Sequence, residues 1–583
     1  MMNLQTCLAY VYGEETASQW LGRFESLIAS YQTKIQARDG ALTEHDSMLI
    51  TYGDQVQRGN EKPLQTLKTF CEIHLDNIVN AIHILPFYPW TSDDGFSVVD
   101  YRQIDKKLGD WKDVSAFQLK FKLMFDAVIN HISSQSDWFQ KFLQDDSHYQ
   151  NYFVTVEGNP DLSQVVRPRA LPLLTSFVTP SGEKKVWTTF SADQIDLNYK
   201  NPQVLFEILD ILSLYIQHGA TFIRLDAIAY MWKEIGTSCI HLPQTHAIIQ
   251  FLRKALNQIA PHVHLITETN VPHVDNISYF GNGYNEAQLV YNFALPPLTL
   301  HTFHTSDATK LSAWAKTLTL PSDKTTFFNF LASHDGVGLN PARGILSSAE
   351  IDSLVEKTIE HGGLISYKHN SDGSKSPYEM NINYFDALSN LNALSPGTAT
   401  RATTLPPSSS AGETLDLQVS RFISAQAIML SIIGVPGIYF HSLFGSRNWR
   451  EGVEQTKHNR TINRQKCSFD ELQKELNDEN SLRSKVFKKY SELLKARKSS
   501  PAFHPHGSQK ILEFHKSIFA IERISPDEKI RVVCLHNVSS QKISFDTHFE
   551  SGIDLFTNQK FQISKVNLEP YQVLWFTPNT VVE

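Results

Sequence analysis

The sequence predicts an α/β protein built on a closed (β/α)8 TIM barrel, and three observations carry that prediction. Short apolar, β-branched runs alternate with helical patterns, as strands of a parallel sheet buried on both faces do. Eight such runs begin at positions 47, 81, 122, 221, 263, 288, 326 and 435, and eight is the number that closes this barrel. Three of them end in an acid: FIRLDAIAY at Asp226, VHLITETN at Glu268 and FFNFLASHDG at Asp335. Acids at several strand ends mark the catalytic face of such a barrel, whereas a single acid could simply cap the next helix.

At 583 residues the chain exceeds one ordinary domain, so the barrel should carry additions. With 41% hydrophobic and 11% aromatic residues, the composition excludes a mostly disordered chain. A net charge of −8 with dispersed basic residues gives no reason to expect a nucleic-acid partner. Cys7, Cys71, Cys239, Cys467 and Cys534 are scattered without CxxC spacing, which argues for a reducing compartment. The N-terminal stretch lacks a charged region followed by a long apolar core, and no apolar run approaches the ~20 residues of a membrane span. The expectation is a soluble cytoplasmic protein with no membrane partner.

Residues 1–45 read as a helical extension, with Trp20, Leu21, Phe24, Leu27 and Ile28 near helical spacing. The first barrel part, 46–131, holds strands 47–55 and 81–89, helices at 63–79 and 112–121, and the run KLMFDAVINHIS, read as one strand ending near His131. The next strand lies about 90 residues further on, far more than the roughly 30 a βα unit needs, so an inserted domain is placed at 132–200. The second barrel part is 201–335. A second insertion, 336–416, contains SYKHNSDGSKSPYE, polar and punctuated like a functional loop, and PPSSS at 406–410. The third barrel part spans 417–504 with helices 418–433 and 481–497. Short alternating runs then predict a C-terminal all-β domain at 505–583.

The three acids suit retaining glycosyl transfer, which needs two carboxyl groups about 5–5.5 Å apart, one as nucleophile and one as acid then base. Asp226 and Glu268 end the fourth and fifth strands and fit as nucleophile and acid/base. Asp335 would then stabilise positive charge on the sugar. Arg224, two residues before Asp226, shares its side of the strand and would keep it ionised; a purely structural ion pair is compatible with that. His131 and His334 can contact sugar hydroxyls, and Phe96, Phe190 and Tyr230 can form a ring platform or simply pack. Arg167 and Arg169 alternate in RPRALPLL, as a phosphate site or a solvated pair would. The absence of HxxxH, HExxH and CxxC speaks against a metal, and no cofactor is expected.

With those residues in place, DAVINH, FIRLDA, ITET and LASHDG resemble the four signature regions of the α-amylase family. The chain is more similar still to its sucrose phosphorylase subfamily, and in ILPFYPWTSDDGFSVVDY, RPRALPLLT, WTTFSADQIDLNY and SPYEMNINYFDALS to the glucosylglycerate phosphorylases. The resemblance implies the roles above for Asp226, Glu268 and Asp335. It further implies that Asp93, Phe96, His131, Phe190, Gln194, Arg224, His334 and Arg464, taken over Arg460, hold the glucosyl unit. Arg169 and Tyr378 fall on phosphate-handling positions, with inorganic phosphate as co-substrate. Where sucrose phosphorylases carry an aspartate, this chain has Lys375 and Ser376 before Pro377, Tyr378 and Glu379, so an anionic acceptor, D-glycerate, replaces neutral fructose. The activity implied is that of a hexosyltransferase: phosphorolysis of 2-O-α-D-glucosyl-D-glycerate to α-D-glucose 1-phosphate and D-glycerate. The alternatives are phosphorolysis of sucrose, sucrose 6′-phosphate or glucosylglycerol, hydrolysis, or a non-catalytic carbohydrate-binding role. Oligomeric state stays open.

Overall fold

The computed structural model describes residues 3–168, 171–369, 374–389 and 413–579. Its centre is a closed barrel of eight parallel strands: β1 (Met48–Thr51), β2 (Ala81–Ile84), β3 (Lys122–Ala127), β4 (Ala220–Leu225), β5 (His264–Thr267), β6 (Leu289–Tyr291), β7 (Thr326–Asn329) and β8 (Val435–Tyr439). Neighbours follow chain order, and β8 closes on β1 through Met48 opposite Gly437 and Ile50 opposite Tyr439. Nearly every strand residue is buried, because helices cover the outside and side chains fill the inside; hence the unbroken apolar runs.

Two regions differ from the sequence reading. KLMFDAVINHIS is not one strand. β3 stops at Ala127, and His131–Ser133 forms a separate short strand, antiparallel to Gln194–Asp196. That pairing turns His131 and Gln194 toward the same end of the barrel. Within SYKHNSDGSKSPYE, expected as a loop, the described residues on either side belong to antiparallel arms, Leu364–His369 and Lys375–Asn381, and Val337–Gly338 pairs with the second. The PPSSS stretch lies outside the described residues.

At the N-terminus, Leu4–Tyr12 and Glu14–Gln32 are helices, and the segment after them, expected to be helical to 45, is not. Trp20 and Phe24 pack against Phe206, and Phe24 meets Phe251 edge-on at 4.8 Å, so this layer covers two barrel helices, 202–217 and 243–259. All five cysteines are buried free thiols. Among the described residues, no helix is long and apolar enough to cross a membrane.

The C-terminal part is a six-stranded antiparallel sheet in the order 508–512, 518–524, 531–537, 573–578, 551–554, 560–562. Its period-two pattern splits two ways: Phe519, Ile521, Cys534 and Trp575 join the barrel core, while Ile518, Ala520, Leu535 and Phe576 form a core of their own. Arg497, almost fully buried, ties the parts together. Its guanidinium donates to the carbonyls of Glu44 (2.6 Å), Gly434 (3.0 Å) and Phe503 (3.2 Å), joining the chain before β1, the turn before β8 and the link to the C-terminal sheet. These three bonds from a buried cation would all be lost, so Arg497→Met should cost about 3 kcal/mol. The check is a thermal melt of the full chain, expected several degrees lower; an unchanged midpoint would show that the arginine is dispensable.

Candidate active site

The acids gather at the carboxyl end of the barrel around a small cavity of about 80 Å³. Its organising group is Arg224, buried on β4. Register places it opposite Asp126 on β3, and Nη1 donates to Asp126 Oδ1 at 2.6 Å and to Asp226 Oδ1 at 2.8 Å. Nη2 lies 3.9 Å from Glu268 Oε1. Asp126 also meets His83 Nε2 at 2.7 Å. Burial opposes its charge, but His83 and Arg224 outweigh that and hold the carboxyl at about 2.

Chain geometry then brings Glu268 to Asp226. Ala227 adopts a left-handed conformation (φ 48°), uncommon for a residue with a Cβ, and its N–H donates to Glu268 Oε2 at 3.0 Å. Burial pushes both the Asp226 and the Glu268 carboxyl up, and their mutual repulsion adds to this at Asp226. Two buried carboxyls this close share a proton. Arg224, nearer Asp226 than Glu268, counters the rise at both carboxyls, and the Ala227 N–H counters it further at Glu268.

Asp335 lies between two arginines. Arg460 Nη1 is 2.5 Å from Asp335 Oδ1 and 3.9 Å from Asp93 Oδ1, while its Nε and Nη2 grip Glu379 at 3.0 and 2.7 Å. Arg464 Nη2 is 3.6 Å from Asp335, but Nη1 bonds Asp94 at 2.5 Å and Nε donates to the His334 carbonyl at 2.7 Å. Of the two, Arg460 lines the cavity and Arg464 lies behind it, the reverse of the placement expected from sequence.

The other expected residues are distributed as follows. Asp93, Phe96, His131, Phe190, Gln194 and His334 line the cavity. Phe96 stacks on His334 at 4.7 Å with 3° between planes. His131 Nε2 and Gln194 Nε2 both donate to the Phe96 carbonyl, at 2.8 and 3.0 Å, so these two fix the loop that carries Phe96. Burial and the neighbouring arginines keep His334 well below its usual range, hence neutral. Tyr230, edge-on to Phe190 at 5.5 Å, completes the aromatic wall. Tyr378 and Glu379 reach the cavity, whereas Lys375 is exposed and Ser376 half-buried on the same arm, off the lining. Arg167 is exposed and donates to the Leu171 carbonyl; its neighbour Pro168 lines the cavity, and Arg169 lies outside the described residues.

Sequence reasoning passed over Asp126, His83, Asn270 on the cavity wall, and Lys233, and it ranked Arg460 behind Arg464. The signal for Asp126 was a charge inside an apolar strand. Lys233 is buried, with Nζ 2.5 Å from Asp196 Oδ2 and 2.8 Å from Asn130 Oδ1. It steadies the short pair of strands that carries His131 and Gln194.

Two neighbouring buried carboxyls, with a third acid in reach and a stacked aromatic floor, are the groups that glycosyl double displacement needs. Residues 74–339 match the family described as alpha amylase, catalytic domain. A glucosylglycerate phosphorylase of Allomeiothermus silvanus is 49% identical over 570 residues, 97% of each chain. One of Escherichia coli is 44% identical over 97% of this chain and 98% of its own. The solved sucrose 6F-phosphate phosphorylase of Thermoanaerobacter thermosaccharolyticum superposes with a TM-score of 0.72 at 25% identity, covering 90% of this chain and 99% of that one. On both sequence and architecture, the chain belongs to the glucosylglycerate phosphorylase family and carries the α-amylase catalytic domain.

Proposed function

We propose that this protein reversibly phosphorolyses 2-O-α-D-glucosyl-D-glycerate to α-D-glucose 1-phosphate and D-glycerate with net retention. The observation that supports the reading is the Arg224 contact, 2.8 Å to Asp226 against 3.9 Å to Glu268, which favours charge on Asp226, the nucleophile of this proposal. In the first step Asp226 attacks the anomeric carbon while Glu268 gives its proton to the departing glycerate oxygen. A glucosyl ester on Asp226 results. In the second, a phosphate oxygen attacks the same carbon, Glu268 takes back a proton, and the aspartate leaves. Each step inverts, so the two together retain configuration. Asp335 would stabilise the oxocarbenium-like charge. Asp93, Phe96, His334 and Arg460 would wall the glucosyl unit, and Tyr378, together with Arg169, would handle phosphate.

Asp226→Asn keeps the shape and removes the attacking charge, so turnover should fall by at least about 10⁴-fold. The sign of the pH dependence follows from the shared proton. Activity requires Asp226 ionised and Glu268 protonated; it is lost at low pH as Asp226 takes a proton and at high pH as Glu268 loses one. Burial raises both, so both limbs should lie above the ordinary carboxylate range. With α-glucosyl fluoride, whose leaving group needs no proton, Glu268→Gln should keep the acid limb and lose the alkaline one. A retained alkaline limb would assign it elsewhere.

The acceptor is the second test. Lys375 and Ser376 stand on the outer end of the arm that brings Tyr378 inward, donors of the kind a carboxylate needs. Phosphate release from glucose 1-phosphate should be faster with D-glycerate than with glycerol, fructose or fructose 6-phosphate. Lys375→Asp should weaken glycerate use by about ten-fold, on the scale of one charged hydrogen bond, and leave glucose 1-phosphate binding nearly unchanged. Preference for glycerol or fructose would overturn the assignment.

A further inference from the structure

The wall that carries Asp93 and Phe96 is a strained turn. Asp93, Asp94 and Gly95 run consecutively through positive φ, at 54°, 49° and 109°. Only the glycine does so at no cost; each aspartate pays on the order of 1–2 kcal/mol. A Cβ at Gly95 would lie 2.7 Å from the Pro86 carbonyl oxygen, so the turn is pressed against β2's exit. Something must hold the segment in this shape. On one side, Arg464, behind the cavity lining, bonds Asp94. On the far side stands Asp193, which does not line the cavity.

The Asp193 carboxylate is a hub for hydroxyls. Oδ2 accepts from Ser92 at 2.5 Å, Thr91 at 2.6 Å and Ser97 at 2.8 Å; Oδ1 accepts from Ser134 at 2.6 Å. Ser133 reaches Thr91 Oγ1 at 2.6 Å, and the Asp193 carbonyl accepts the Ser134 N–H at 3.0 Å. These partners are placed tellingly. Residues 91, 92 and 97 bracket the strained turn, 133 and 134 follow His131, and 193 itself precedes Gln194. One carboxylate thus gathers the three segments that supply Asp93 and Phe96, His131, and Gln194. Burial works against its charge, yet the bonds from Ser134, Ser92, Thr91 and Ser97 prevail and hold the carboxyl below the usual range.

We propose that Asp193 is a positioning residue for the glucosyl pocket: as an acceptor-only hub it locks the 91–97 turn in its left-handed conformation and so presents Asp93 and Phe96 to the sugar. The sugar part of this rests on the function proposed above; the locking of the turn does not. Asparagine is the informative replacement, because one of its two positions is an NH₂ donor facing hydroxyls that already donate. Glutamate keeps two acceptors on a longer arm.

The test has two readouts on the full chain. The first, hydrogen exchange, is independent of activity: in Asp193→Asn, amides of 91–97 should exchange faster while those of β4 and β5 do not change. The second is kinetic: the KM for glucose 1-phosphate should rise by about ten-fold and kcat fall, with the KM for D-glycerate within about two-fold of wild type, as expected for lost positioning at one subsite. Asp193→Glu should recover part of the loss. Should Asp193→Asn fail to fold, Ser97→Ala, which deletes one donor, carries the same two readouts in milder form. Unchanged exchange at 91–97 overturns the proposal whatever the activity. Faster exchange with unaltered kinetics per folded enzyme overturns the positioning role. A wild type inactive on glucose 1-phosphate refutes the proposed function instead, and the exchange result still decides whether Asp193 locks the turn.

Discussion

One buried cation sets the terms for the rest of the site. Arg224 has given up hydration at the barrel centre, and such a charge persists only where carboxylates and hydrogen bonds repay it. Asp126 does most of that, from the adjacent strand and in register, and is itself held ionised with help from His83. With that partner fixed, Arg224 can discriminate between the two acids above it. At an effective dielectric near 20, approach at 2.8 rather than 3.9 Å is worth about 1.5 kcal/mol, or roughly a ten-fold preference. Strand register thus sets a contact that opposes the burial and repulsion raising the Asp226 carboxyl.

The walls are held by a different means. Where the floor relies on charge in a closed barrel, the rim relies on polar side chains that pin loops: Lys233 on Asn130 and Asp196, Asp193 on four hydroxyls, Arg464 on Asp94. The rim residues crossing this division are His131 and Gln194, whose nitrogens meet on the Phe96 carbonyl. A loop held so tightly loses little further freedom when a sugar arrives, which is how a site spends its binding energy before the substrate is present.

What the sequence disclosed follows the same division. Eight strands were legible because a strand buried on both faces is an uninterrupted apolar run, and the acids at 226, 268 and 335 announced themselves as the residues that end such runs. The rim was less legible. His131 sits on a strand of its own because its partner, Gln194–Asp196, is remote in the chain, and no local period encodes that pairing. Asp193 reaches hydroxyls about a hundred residues away, in a stretch that reads as an ordinary polar loop. Arg460 lies within one 3-10 turn, Asn459–Asn463, and Arg464 directly follows it; which of them faces the cavity depends on how that turn docks on Asp94 and Glu379.

Arg460 also shows that the two halves of the site are not independent. Its guanidinium spends two donors on Glu379, nearly fully buried on the arm that carries Tyr378, and another on Asp335. Glu379 accepts the Gly336 N–H at 2.9 Å as well, directly after Asp335. The Lys375–Asn381 arm is thereby bonded to Asp335 through an ion pair and to the adjoining backbone at Gly336. An uncharged residue at 379 would leave Arg460 facing only Asp335 and Asp93, drawing it toward the glucosyl side and altering the field at the reacting carbon. A substitution at 379 must therefore either preserve a carboxylate there or rebalance the charges around Asp335, since Glu379 and Asp335 share the Arg460 guanidinium.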